Sequence, residues 1–272
     1  MQDADMPLGR ETPYPDQYDP ALLCPIPRGE SRRALGLGDA LPFSGVDAWH
    51  AWELTWLAPG GVPRVATAEI TVPADSPRLV ESKSLKLYLN AFSMSEFESG
   101  DAVASRIARD LTACLGAPVT VCVSMPPVAG QAAVDCLPGA CIDDTATDCG
   151  HWEVEPKLLR ADRDSHVEEI LHSHLLRSLC PVTAQPDMGS VLIRYRGPRI
   201  DHAGLLCYIV SFRRHQDFHE ACVERMFVDI MARCAPAALS VQAFYTRRGG
   251  IDINPFRSND ESSAAKLRLW RQ

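Results

Sequence analysis

Alternating apolar and polar positions predict paired strands in the first half of the chain. The segments Ala48–Pro59 (AWHAWELTWLAP) and Arg64–Pro73 (RVATAEITVP) are rich in aromatic and β-branched residues, and the turn-forming GGVP lies between them. Such runs on either side of a Gly/Pro turn are typical of a strand–turn–strand unit. The segment Pro118–Met125 (PVTVCVSM) predicts a further strand.

A helical period lies between these strands. In Ser99–Gly116 the apolar residues Val103, Ile107, Leu111 and Cys114 recur at helical spacing. Ser99 is suited to the N-cap and Gly116 to the stop.

The second half shows a similar order of patterns. Strand-like segments are Asp187–Gly197 and Leu239–Gly250, and a helix-like segment is Phe218–Cys234. The segment Val167–Leu179 is ambiguous, because Ser165 and Glu168 form a capping box while the alternation suits a strand. We favour the strand because of the family resemblance given below.

The two halves align at an offset of about 120 residues, with a shared order of strands and helices. Phe92 then falls on Phe212 and Cys114 on Cys234. This favours an internal duplication of a β-β-α-α-β-β module, and two unrelated α+β domains are the alternative. The predicted organisation is an N-terminal arm (1–45), a first module (46–130), a linker or excursion (131–153) and a second module (154–272).

Composition excludes several classes of protein. The net charge is 27 − 35 = −8, which argues against a bulk nucleic-acid or anionic-membrane partner. The N-terminus shows no signal peptide, and no apolar run approaches the ~18 residues of a membrane span. We therefore expect a cytoplasmic protein whose ten cysteines are thiols rather than a disulfide framework.

One cysteine-rich segment raises the question of a metal. Cys136, Cys141, Cys149 and His151 are separated by five, eight and two residues, a spacing that matches no common structural zinc site. We therefore predict no metal.

The segment SLCPVTAQPDMGS places Cys180 seven residues before Asp187. A thiolate is a nucleophile, and a neighbouring carboxylate can accept the thiol proton and return it later. Pro181 and Pro186 would restrict the loop between them. The alternative is that Cys180 is a small buried apolar residue, as cysteines often are.

Two further groups of residues suit ligand binding. Glu220 could accept two hydrogen bonds from the edge of a guanine-type base, with His219 on the same ligand, although a Glu at a helix start is also a common capping residue. The basic residues Lys83, Lys86, Arg247 and Arg248 could bind phosphate, or could form a solvated face. A Rossmann fingerprint is not convincing, because GLGDAL lacks the closing Gly and follows no strand.

Four motifs taken together resemble one family. ESKSLKLYLNAF, SHLLRSLCPVTAQPDMGS, SFRRHQDFHE and YTRRGGIDINPFRS are similar, in this order, to the NADPH-dependent 7-cyano-7-deazaguanine reductases, the nitrile reductases of queuosine biosynthesis. The likeness spans about Trp49 to Ser258 and fits the long, two-module type.

The resemblance implies a fold, a cofactor and partners. The fold is α+β, with tandem tunnelling-fold (T-fold) modules whose antiparallel sheets each carry two helices on one face. NADPH would be consumed twice per turnover, as a co-substrate, with no metal required. Proteins of this type are homodimers with sites at the junction of modules, and they act on a small-molecule deazaguanine, with no direct nucleic-acid or membrane partner.

The resemblance also implies roles for individual residues. The catalytic pair would be Cys180, which forms a covalent thioimide, and Asp187, which moves the proton. Residues that would bind the substrate are Val80, Glu81, Ser82, His219 and Glu220. Residues that would bind NADPH are Ser82, Lys83, Arg248 and Gly249.

Three other functions remain open from the residues alone. A zinc-dependent cyclohydrolase of the same fold that acts on GTP would need a Cys/His metal site. A thiol-dependent nitrile hydrolase would use the same Cys–Asp pair without NADPH. A purine-binding module without turnover would be indifferent to Cys180→Ala.

Overall fold

A computed structural model of the 272-residue chain describes residues 14–126, 134–260 and 263–272. Within them, the strands are β1 (Pro25–Pro27), β2 (Ser44–Leu57), β3 (Pro63–Pro73), β4 (Arg78–Val80), β5 (Thr120–Ser124), β6 (Ala140–Cys141), β7 (Ala161–Leu179), β8 (Pro186–Ile200), β9 (Ala238–Tyr245) and β10 (Ile251–Ser258). The α-helices in the same residues are α1 (Gly29–Ala34), α2 (Ser82–Asn90), α3 (Gly100–Leu115), α4 (His202–Ser211) and α5 (His219–Cys234). The predicted α+β class is confirmed.

The described chain forms two compact units. Unit 1 comprises residues 14–31, 48–126 and 247–252, and unit 2 comprises 32–47, 134–246, 253–260 and 263–272. Since α1, β2 and β10 each begin in one unit and end in the other, the division does not coincide with element boundaries. No α-helix among the described residues is long and apolar enough to cross a membrane.

Unit 1 pairs β3 antiparallel with β5 and β1 antiparallel with β4. Helix α3 follows the predicted pattern: the Ser99 hydroxyl accepts from the Ala102 N–H, and Gly116 ends the helix at φ 73°. A left-handed residue at this position favours glycine, which has no Cβ to clash. The predicted Val103, Ile107 and Leu111 are fully buried on α3, whereas the predicted Cys114 is half-buried and Leu115 completes the buried face.

Unit 2 is built on strands in the order β10-β9-β8-β7-β6. β7, β8, β9 and β10 pair antiparallel, whereas β6 pairs parallel with β7. The alternation of β8 divides its side chains between two apolar clusters: Val191 and Ile193 pack with α4 and α5, and Leu192 packs with Leu269 near the C-terminus.

Several predictions about local structure need comment. The ambiguous segment Val167–Leu179 is strand, because its alternating residues pair with β8 over nearly its whole length. The described part of the 1–45 arm is less irregular than expected, since β1, α1 and the start of β2 lie in it. The described part of the 131–153 linker contributes β6, which periodicity over two residues could not reveal.

One prediction about cysteine is wrong. A disulfide joins Cys149 to Cys207 in α4, although all ten cysteines were expected to be thiols. The other eight cysteines, all of which lie in the described ranges, form no disulfide. Composition can indicate only whether the compartment of a protein is oxidising. The pairing itself requires the fold to bring the two residues, 58 apart in sequence, to a Cα–Cα distance of 5.1 Å.

A buried charge network holds unit 2 together. Arg257 on β10 is fully buried and contacts Asp47 (Nη1–Oδ1 2.8 Å) and Glu224 of α5 (Nη2–Oε1 2.9 Å). Arg32 donates to the same Glu224 carboxylate at 2.8 and 3.0 Å. Burial lowers the pKa of Arg257, but the two carboxylates outweigh burial and raise it, so the guanidinium stays charged. The network fixes α5 against β10.

We expect Arg257→Met to destabilise the protein by about 3–5 kcal/mol, because it removes the Arg257 charge from the buried Asp47 carboxylate and leaves Glu224 with Arg32 alone. Urea unfolding of the purified variant measures this loss. Arg109→Met is the matched control: Arg109 is 64% exposed and lies 3.4 Å from Asp110, so its loss is expected to be below about 1 kcal/mol. Equal losses in the two variants would contradict the interpretation of the network.

Candidate active site

The β7–β8 hairpin brings Cys180 and Asp187 to one end of the unit 2 sheet. Ser178 lies directly opposite Asp187 in the register, and Cys180 is two residues beyond Ser178. Side chains two residues apart share a face, so Cys180 and Asp187 are diagonal neighbours, about 7–8 Å apart at Cα in regular pairing. Both are buried, with 4% and 8% of their surface exposed.

The loop between the two residues is closed by the backbone of Cys180 itself. Its N–H donates to the Gln185 carbonyl at 2.9 Å, and its carbonyl accepts from the Ala184 N–H at 3.0 Å. Ala184 adopts φ 54°, a left-handed conformation that is unfavourable for a residue with a Cβ. The position of the thiol is therefore determined by the loop conformation.

The backbone of Leu179 holds the start of α5 beside Cys180. Its N–H donates to the His215 carbonyl at 2.8 Å, and its carbonyl accepts from the Asp217 N–H at 3.1 Å. These two bonds hold residues 215–217, which lead directly into α5, beside the residue that precedes Cys180. His219 and Glu220 are the first two residues of that helix.

His219 links this helix to Asp187 and to β9. Its Nε2 lies 3.3 Å from Asp187 Oδ2, and its ring stacks on Tyr245 at a centroid distance of 3.8 Å and an angle of 16°. Glu220 is 2% exposed. Carboxylates near a helix N-terminus are stabilised by the helix dipole. Unit 2 thus gathers the predicted Cys180, Asp187, His219 and Glu220 around one end of β7 and β8.

Sequence reasoning missed the buried thiol of Cys222, which lies on α5 three residues after His219. Burial raises the pKa of the Cys222 thiol, and the charge of Asp217 acts in the same direction. Cys222 therefore remains a thiol at neutral pH. Sequence reasoning also missed Tyr245, the first residue of the YTRRGG motif. The available signal was its position at the end of a strand, shortly before two arginines.

Unit 1 contains the remaining predicted residues. Glu81 is the N-cap of α2, where its carboxylate accepts from the N–H groups of Lys83 (2.7 Å) and Ser84 (2.8 Å). Burial raises the pKa of Glu81, while these two bonds and the charges of Lys86 and Lys83 act in the opposite direction. Sequence reasoning did not foresee this capping role.

The neighbours of Glu81 along the chain are positioned by the same helix start. Val80 is 2% exposed at the end of β4, and Ser82 is the first residue of α2. The backbone N–H of Glu81 donates to the Cys24 carbonyl at 2.9 Å, which ties this segment to the described part of the N-terminal arm.

A tight turn brings Arg248 and Gly249 to α2. The turn is closed by the Arg248 N–H, which donates to the Ile251 carbonyl at 2.8 Å, and Gly249 has φ 56°. A Cβ on Gly249 would lie 3.1 Å from Lys86 Cδ, so the glycine allows close approach to that lysine. Arg247 lies over the Trp52 ring at 4.8 Å. The donors and charges gathered here suit the phosphate groups of a dinucleotide such as NADPH.

The segment Cys136–His151 does not form the four-ligand site considered from its spacing. Cys149 is in the disulfide, and Cys141 lies near His172 and His174 instead.

Comparison with known proteins identifies the family. Residues 14–123 match the family model "Nitrile reductase, 7-cyano-7-deazaguanine-reductase N-term", and residues 186–264 match the model "QueF-like protein". The chain belongs to the 7-cyano-7-deazaguanine reductase family. The resemblance inferred from the four motifs is thereby confirmed.

Curated relatives of this family cover nearly the whole chain. A protein of Burkholderia multivorans is 54% identical over 260 residues, 95% of each chain, and one of Bordetella pertussis is 51% identical over 273 residues, the full length of both. A third, from Chromohalobacter salexigens, is 53% identical over 269 residues, 98% of this chain and 96% of its own. Each is named NADPH-dependent 7-cyano-7-deazaguanine reductase.

Proposed function

We propose that this oxidoreductase reduces the nitrile of 7-cyano-7-deazaguanine to the aminomethyl group of 7-aminomethyl-7-deazaguanine, with NADPH as the reductant, in tRNA queuosine biosynthesis. The observation that carries the proposal is the full-length likeness to proteins of that name. The matched regions include Val80–Lys83 in unit 1 and Asp187, His219 and Glu220 in unit 2.

The first step would be covalent. The Cys180 sulfur adds to the nitrile carbon, the C≡N bond becomes C=N, and a thioimide forms. The proton moves from sulfur to Asp187 and then to the nitrile nitrogen, so that no charge accumulates on nitrogen. The position of both side chains on one face of the hairpin supports this assignment.

Reduction would then proceed in two stages. NADPH, when bound, supplies the hydrides, two per turnover. Between the stages, the C–S bond would break: Cys180 leaves as a thiolate, and the substrate becomes an imine that accepts the second hydride and a proton from solvent. Water would hydrolyse the thioimide before it is reduced. The low exposure of Cys180, 4%, supports the proposal because it keeps water away from the adduct.

Recognition of the base would rest on Glu220 and His219, with Val80, Glu81 and Ser82 as further contacts. The two oxygens of the buried Glu220 carboxylate can accept two hydrogen bonds, and the N–H and NH₂ edge of a guanine-type base supplies two donors. A base without that edge would lose both hydrogen bonds, which disfavours its binding. The capping bonds of Glu81 hold its carboxylate in a fixed orientation.

Phosphate groups of NADPH would be held by Ser82, Lys83, Arg248 and Gly249. Backbone N–H groups and the dipole at the start of α2 favour an anion there, and arginine binds phosphate through a planar fork.

The fold and assembly complete the proposal. We infer tandem T-fold modules with boundaries near 46–130 and 154–272, a cytoplasmic homodimer, and no direct contact with nucleic acid. Unit 2 supports this inference with two helices packed on one face of its sheet.

We predict that wild-type protein incubated with the nitrile but without NADPH gains one substrate mass, because the thioimide cannot proceed. Cys180→Ala should show no gain in mass and no turnover. Calorimetry should show that this variant still binds the nitrile. Cys136→Ser, which alters an exposed cysteine, is the matched control and should form the adduct. An adduct on Cys180→Ala would refute the covalent assignment, and nitrile loss without NADPH oxidation would favour a thiol-dependent hydrolase.

We predict that Asp187→Asn forms the same adduct about 100- to 10,000-fold more slowly, since an amide of the same shape cannot accept the thiol proton. Stopped-flow mixing followed by intact mass gives the rate. Asp162→Asn, an exposed position on β7, should react like wild type. Wild-type rates in Asp187→Asn would require another proton acceptor.

We predict that Arg248→Ala raises KM for NADPH by about 10-fold or more while kcat changes little, because a charge-assisted hydrogen bond to phosphate contributes about 1.5–3 kcal/mol. Steady-state NADPH oxidation measures both constants. Arg64→Ala, at an exposed site on β3, should leave KM unchanged. A change confined to kcat would place Arg248 elsewhere in the reaction.

A further inference from the structure

Three metal-ligand side chains meet at the β6 edge of the unit 2 sheet. Cys141 on β6 is the direct parallel partner of His172 on β7, and His174 is two residues further along β7. One ligand atom from each residue lies within 4.8 Å of the others. None of the three has a role in the proposed reaction.

The backbone explains why these residues converge. Residues two apart on a strand share a face, so His172 and His174 point to the same side of β7. Gly139, at φ 82°, lets the chain pass against the Ile170 backbone, where a Cβ would collide with the Ile170 carbonyl. This close approach allows β6 to pair with β7 and places Cys141 beside His172.

Both imidazoles are held in the orientation that metal ligands require. His172 Nδ1 lies 3.0 Å from the Pro138 carbonyl, which can only accept, so Nδ1 carries the proton and Nε2 has the lone pair. His174 Nδ1 lies 2.8 Å from Ser190 Oγ, a hydroxyl that can accept the Nδ1 proton when Nε2 binds a metal. Metal-binding histidines usually donate their other N–H to such a second group.

The surroundings are charged but accommodate a cation. The Asp143 carboxylate accepts from the His174 N–H at 3.0 and 3.3 Å, and it also contacts the Cys141 thiol. Arg271 is a nearby cation, and its Nη2 donates to the His174 and Gly189 carbonyls at 2.7 and 3.0 Å. A thiolate with the Asp143 carboxylate offsets the charge of a divalent ion.

We propose that Cys141, His172 and His174 bind one Zn²⁺ ion, with solvent in the fourth position. Thiolate and imidazole ligands suit zinc, whose bonds of about 2.0–2.3 Å need ligand atoms about 3–4 Å apart. The ligand atoms lie within 4.8 Å of one another, so side-chain rotation would have to bring them about 1 Å closer to bind the ion. The exposed Cys141 gives the ion access, and binding would fasten the two-residue β6 to the sheet.

This site is separate from the proposed chemistry. His174 precedes Cys180 by six residues, about 20 Å of extended strand. The inference does not rest on the proposed function, and its tests need no turnover.

The test is zinc binding to the full chain after chelator treatment and without thiol reductant, so that the disulfide stays intact. Competition with a chromogenic chelator should give one tight site per chain, and zinc should raise the unfolding temperature. Cys141→Ser should lower the affinity more than about 100-fold. Ser190→Ala, which removes the hydroxyl beside His174 Nδ1 and its 3.5 Å contact with Arg271, should lower it about 10- to 100-fold. Cobalt in the same site should show a thiolate charge-transfer band that Cys141→Ser lacks.

Matched variants distinguish this site from others. Cys136→Ser alters an exposed cysteine five positions away, and Cys180→Ala removes the thiol of the candidate active site. Both should keep full zinc affinity. No zinc binding by wild type, or binding lost in Cys180→Ala but kept in Cys141→Ser, overturns the proposal. His174→Ala serves as a second ligand variant if Cys141→Ser fails to fold, as judged by circular dichroism.

Discussion

The antiparallel pairing of β7 with β8 is the constraint on which both proposed sites depend. Side chains alternate along a strand, so a slip of one residue would turn Asp187 away from the face that it shares with Cys180. The register shifts by one residue between Ser173 and Leu176, which marks a bulge. The histidines of the inferred metal site belong to the stretch around and before this bulge, and Cys180 follows the stretch after it. One long strand thereby serves two different chemistries.

Much of the fold was predictable because local patterns and tertiary contacts agree. In the strands β2 and β3 and the helices α3 and α5, most of the apolar positions at strand or helix spacing are buried. The ambiguous segment of β7 is a strand because it pairs with β8 along nearly its whole length, and its own sequence does not reveal this partner. A two-residue strand such as β6 has no period at all, so only its partner strand defines it.

The sites were predictable only in part, for a related reason. Motif order indicated which side chains carry chemistry, but not the contacts that position them, such as Leu179 with residues 215–217 or His219 with Tyr245. The capping role of Glu81 and the partners of Cys141 were also missed. Cys141 and His172 are 31 residues apart in sequence, and no local spacing predicts a pair that a parallel strand creates.

The left-handed backbone of Ala184 limits how far the loop after β7 can be redesigned. Residues 182–185 are exposed, and exposed loop tips usually tolerate substitution and insertion. Here the conformation costs about 1–2 kcal/mol for any residue with a Cβ and is maintained by hydrogen bonds to Cys180. A bulkier or β-branched replacement, or one added residue, would shift the sulfur itself. Mutational tolerance in this loop should therefore be lower than its exposure suggests.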